Sequence, residues 1–99
     1  MKITEVHISL RNEEKLKGFA SIILDNQFAV RGLKIIQGMK GYFIAMPSRR
    51  RGDGMFTDIA HPIRREFRSQ IEDVVLQKYW EELKRIQDKE TMNVPAEIS

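Results

Sequence analysis

Ninety-nine residues, 41% of them hydrophobic and 31% charged, suffice for one domain with a single modest core. There is no cysteine, which excludes disulfides and thiolate metal sites and fits a reducing cytoplasm. The formal charge is +3, and all of the excess lies in residues 49–68, where six arginines face three acids; the rest of the chain balances eleven basic against eleven acidic residues.

Residues 3–10 read as a strand, because Val6, Ile8 and Leu10 alternate with His7 and Ser9. Met1-Lys2-Ile3-Thr4-Glu5 has no long apolar run, so no signal peptide is expected. Arg11 to Lys17 is a charged turn. A second strand is expected over 18–24, and Asp25-Asn26 suits a hairpin turn because both residues tolerate positive φ. Phe28, Val30, Leu33 and Ile35 continue as a third strand. Its apolar positions slip from even to odd numbers at Gly32, the sequence mark of a β-bulge. Gly38-Met39-Lys40-Gly41 makes the next turn, Tyr42 to Met46 a fourth strand, and Pro47 ends it.

Residues 48–54 read as a loop carrying Arg49-Arg50-Arg51 and bounded by Gly52 and Gly54. A short fifth strand is expected over 55–59. Pro62 suits the first position of a helix. From there Ile63, Phe67, Ile71, Val74, Val75, Tyr79, Leu83 and Ile86 mark an amphipathic helix of about six turns. The expected architecture is α+β: an antiparallel β-meander of about five strands, then one long C-terminal helix. One domain spans 1–90, and 91–99 is expected to be a flexible tail. One helix covers one face of a small sheet, so a homodimer is expected to cover what remains. No stretch approaches the roughly 20 apolar residues of a membrane helix, so the expected location is cytoplasmic.

The charged segment is the informative one. Arg64, Arg65 and Arg68 lie where a helix begins and its dipole is positive, which costs roughly 0.3–1 kcal/mol per exposed cation. A bound anion would remove that cost. Free N–H groups at a helix start bind phosphate, and guanidinium forks match its oxygens. Arg49, Arg50, Arg51, Arg64, Arg65 and Arg68 are therefore the candidate nucleic-acid contacts, with the triplet folding back beside the helix start. A rival reading is a protein-interaction module with an acidic partner.

Other chemistries are weaker. Ser48, Asp58 and His61 have the residue types of a nucleophilic triad, but the nucleophile-elbow pattern is absent. His61 reads as structural, either capping the helix or holding the loop through a backbone contact. His7 and His61 have no metal-ligand spacing, and Gly52 and Gly54 do not begin a phosphate loop. Asp53 between two glycines is a turn signal. Base stacking on exposed rings is disfavoured here because most aromatics occupy core positions, and Trp80 is assigned to dimer packing.

Several of these segments together resemble the SpoVG family, stage V sporulation protein G. They are Ile3-Thr4-Glu5-Val6, Ala20-Ser21-Ile22-Ile23-Leu24-Asp25, Gly41-Tyr42-Phe43-Ile44-Ala45-Met46-Pro47-Ser48 and Asp58-Ile59-Ala60-His61-Pro62-Ile63. The resemblance covers roughly residues 1–80. It implies a small dimeric bacterial protein with no enzymatic activity and no cofactor. It also implies links to septation, sporulation and gene regulation through DNA and RNA; the rival reading stays a protein-interaction module of the division machinery whose basic surface meets an acidic protein. By position it carries nucleic-acid contact to Arg50, Arg51, Arg64, Arg65 and Arg68. The chain departs from many members in its third arginine and in Gly52-Asp53-Gly54.

Overall fold

The computed structural model describes residues 1–88; the helix α1 is bounded Arg65–Ile98, and the tail expected over 91–99 lies outside the described residues. Six strands precede the helix: β1 (Ile3–Leu10), β2 (Leu16–Leu24), β3 (Phe28–Gly38), β4 (Gly41–Ala45), β5 (Ser48–Arg50) and β6 (Phe56–Asp58). β1 to β4 form one antiparallel sheet in chain order, and β5 with β6 form a second, two-stranded sheet. The α+β meander with one C-terminal helix is thus as the sequence implies.

The turns follow local chemistry. Asp25 and Asn26 take φ of 51° and 54°, and the Gln27 N–H donates to the Leu24 carbonyl at 2.9 Å. The bulge is at Gly32, with φ +81°, where the β2–β3 register shifts between Ala20 and Ile22. That extra residue lets Val30 and Leu33 both reach the core side. Two further register shifts, near Ile3 and near Leu16, have no sequence mark.

Two differences from expectation bear on the charged segment. Ser48 to Arg50 is a strand, not loop, because its backbone pairs with β6: Ser48 with Asp58, Arg49 with Thr57, Arg50 with Phe56. The helix begins at Arg65 rather than Pro62; the Arg68 N–H donates to the Arg64 carbonyl at 3.1 Å, so Arg64 is the N-cap. Ile63 therefore lies before the helix and is 87% exposed, so it does not fix the core-facing side.

The core lies between the four-stranded sheet and α1. Ile71, Val75 and Tyr79 come from the helix, spaced by fours, Ala20, Ile22, Leu24, Leu33, Ile35 and Ile44 from the sheet, and Met46 from just after β4. α1 packs chiefly on β1 and β4, the two edge strands. Tyr42 points to the helix, with ring centroids 5.8 Å from Tyr79 and 4.9 Å from Trp80. Burial, with Tyr42 beside it, pushes the Tyr79 phenol pKa up. Phe43, its neighbour in sequence, points to the opposite face and is 44% exposed.

Candidate nucleic-acid interface

The arginine hairpin is closed by its own backbone. The Arg51 N–H donates to the Met55 carbonyl at 2.7 Å, and the Gly54 N–H to the Arg51 carbonyl at 3.0 Å, with Gly54 at φ +87°. Asp53 finishes the turn by accepting the Met55 N–H on Oδ1 at 3.0 Å. Its other oxygen accepts from Arg51 Nη2 at 2.5 Å. That guanidinium, then the Met55 N–H, holds the Asp53 carboxyl below its ordinary pKa.

Arg51 is thus paired. Arg49, Arg50, Arg64 and Arg65 are exposed, Arg68 is half-buried, and among the described residues none of these five side chains has a hydrogen bond or ion pair. At the helix start Glu66 is the one acid in the first turn, and no side chain of the described residues caps the free N–H groups. Arg64 and Arg65 therefore sit at the positive end of the dipole with little local compensation.

No hydrogen bond or ion pair among the described residues joins the hairpin arginines to the helix arginines. The Ile59 N–H donates to the Pro47 carbonyl at 2.7 Å and closes the base of the hairpin. The hairpin meets the main sheet at Phe56, whose ring centre lies 6.0 Å from Lys34 Nζ of β3. Arg64 borders an apolar groove of about 510 Å³ that includes Leu24, Val30, Met46, Ile63 and Phe67. This groove was not legible in the sequence, because it forms only where the sheet and the segment before the helix meet.

The remaining candidates separate. Ser48 pairs with Asp58 across the hairpin, whereas the His61 ring turns away to its own neighbour, Nδ1 lying 3.2 Å from the Pro62 carbonyl. The backbone contact of His61 is to the residue next to it, and Arg64, not His61, occupies the N-cap position. Among the described residues no group of three or more His, Asp or Glu could hold a metal ion, and no helix is long and apolar enough to cross a membrane.

Residues 1–81 match the family model SpoVG. Proteins named "Putative septation protein SpoVG" are similar over most of their length. The protein from Bdellovibrio bacteriovorus is 55% identical over 84 residues, covering 85% of this chain and 78% of that one. The Clostridioides difficile protein is 54% identical over 84 residues, covering 84% and 91%. The Myxococcus xanthus protein is 43% identical over 98 residues, covering 99% of each. With a family model spanning residues 1–81 and relatives at this identity, the chain belongs to the SpoVG family.

Proposed function

We propose that this chain is a non-enzymatic cytoplasmic regulator, tied to septation, sporulation and gene expression, that binds DNA or RNA through its arginine-rich hairpin and helix start. The observation that carries this reading is the unpaired state of Arg49, Arg50, Arg64, Arg65 and Arg68 among the described residues. Five guanidinium groups without carboxylate partners, within one 20-residue segment that holds all the charge excess, suit a polyanion. Phosphate would sit at the uncapped helix N–H groups and between guanidinium forks. Arg51 takes part after leaving Asp53. The septation link rests on the names of the relatives.

The working unit is a homodimer. Trp80, 45% exposed on α1, is the side chain we assign to that contact. Two arginine surfaces would then meet one nucleic-acid backbone.

The test is binding of unrelated DNA and RNA by the Arg64→Ala/Arg65→Ala/Arg68→Ala variant, with circular dichroism to check folding. Loss of binding by a folded variant supports the reading. Normal binding by that variant ends the assignment. If the unaltered protein forms no complex at low salt, the basic surface serves an acidic protein of the division machinery instead.

A further inference from the structure

The face of the four-stranded sheet turned away from α1 carries cations and rings in alternation. Lys34 lies between the buried Leu33 and Ile35, and Phe19 between the buried Gly18 and Ala20, so both point to this open face. They are direct cross-strand partners. On one side the Arg11 guanidinium stands 5.2 Å from the Phe19 ring centre. On the other, Lys34 Nζ reaches the Phe56 ring, and Phe56 is the cross-strand partner of Arg50. The order across the surface is Arg11, Phe19, Lys34, Phe56, Arg50. The arginine hairpin therefore continues onto the open sheet face.

We propose that this track binds single-stranded nucleic acid. Each link has a role in that chemistry. Phe56, 64% exposed, and Phe19 offer ring faces on which bases stack. Lys34, between the two rings, meets the phosphate joining the stacked nucleotides. Arg11 and Arg50 meet the phosphates on either side; Arg11 leaves or sandwiches against Phe19 as the base enters. A shallow depression of about 230 Å³ beside Phe19 is lined by His7, Ser9, Ser21 and Arg31. Its hydroxyls and its guanidinium suit a nucleotide's sugar edge and phosphate. The electrostatics agree: among the described residues none of Arg11, Arg31, Lys34 and Arg50 has a carboxylate partner, and Glu5 lies 3.7 Å from His7. A duplex cannot use the rings, because its bases are already stacked on each other. Sheets that read single strands do so with ring side chains in this manner.

The proposal rests on the nucleic-acid reading above and narrows it to single strands. The experiment is fluorescence anisotropy of the full chain with labelled oligothymidylate, oligouridylate and a mixed-sequence duplex at one low salt concentration, with solution mass measured alongside. Phe56→Ala removes an exposed ring, Phe19→Leu keeps apolar volume, and Phe28→Ala removes an exposed ring off the track. Phe56→Ala is expected to weaken single-strand binding about tenfold and Phe19→Leu by a smaller factor. Duplex binding should be unchanged, and Phe28→Ala should have no effect on either.

Single-strand affinity unaltered in both Phe56→Ala and Phe19→Leu overturns the track, as does an equal loss for duplex and single strand. A fall in solution mass with unchanged affinity gives the face to a second copy of the chain and also overturns it. Binding of duplex alone by the unaltered protein ends the single-strand track but leaves the arginine surface standing. Binding of neither ends both.

Discussion

The Arg51 guanidinium grips the carboxylate of Asp53 two residues along, at 2.5 Å, across the tip of the β5–β6 hairpin. The same carboxylate holds the Met55 N–H, so one acid both shapes the loop and neutralises one of three adjacent arginines.

Asp53→Asn should therefore strengthen nucleic-acid binding. The amide oxygen still accepts the Met55 N–H, and Arg51 is released to contact phosphate. The affinity should rise while the salt slope stays near that of the unaltered protein, because Arg51 meets phosphate in both and only the cost of leaving Asp53 is removed. A binding series at several salt concentrations checks this.

Acid should break the same Arg51–Asp53 contact reversibly. The folded pKa of Asp53 is lowered from 3.8, chiefly by Arg51. A lowered carboxylate contributes stability above its unfolded pKa, and that contribution is lost as pH falls through the folded value. The Asp53 carboxyl resonance should titrate with a midpoint below 3.8, and in Arg51→Ala the midpoint should rise.

Gly32→Ala should destabilise the sheet by about 1–2 kcal/mol, the cost of an L-residue in the left-handed region. Its added Cβ would meet only the Pro47 Cβ at 3.8 Å, so the penalty is conformational rather than steric. Gly52→Ala, whose Cβ meets nothing within 4 Å, should be close to neutral. Urea denaturation compares the two.

Leu33→Ala and Ile63→Ser separate core from surface. Leu33 is 0% exposed, and its truncation should cost about 2–5 kcal/mol. Ile63 lies outside the helix and mostly in water, so its replacement should stay within about 0.5 kcal/mol. Chemical denaturation midpoints measure both.

These residues also mark how far the sequence alone reaches. The Gly32 bulge was legible because apolar positions change parity there, and a strand has a period of two. Asp25-Asn26 was legible because few residues tolerate the turn it makes. Ile63 misled because spacings of three and four continue across the N-cap, and periodicity carries no sign of where the first turn begins. Ser48-Arg49-Arg50 looked like loop because that strand has no apolar alternation; it exists through backbone pairing with β6. The arginine cluster was visible as composition. That Arg51 is paired, and that Phe56 lies against Lys34 of a distant strand, depends on contacts no local pattern encodes. The expectation that most aromatics are spent in the core missed Phe28 and Phe56, which the β2–β3 turn and the β5–β6 hairpin carry to exposed positions.

The central claim is that unpaired guanidinium groups bind nucleic-acid phosphates, and the slope of log binding constant against log salt tests it most directly. With about three phosphate contacts per protomer in a dimer, duplex DNA should give a slope of about −5, and Arg64→Ala/Arg65→Ala/Arg68→Ala a much shallower one. A binding constant indifferent to salt, or a triple variant that keeps the original slope and affinity, would contradict the account.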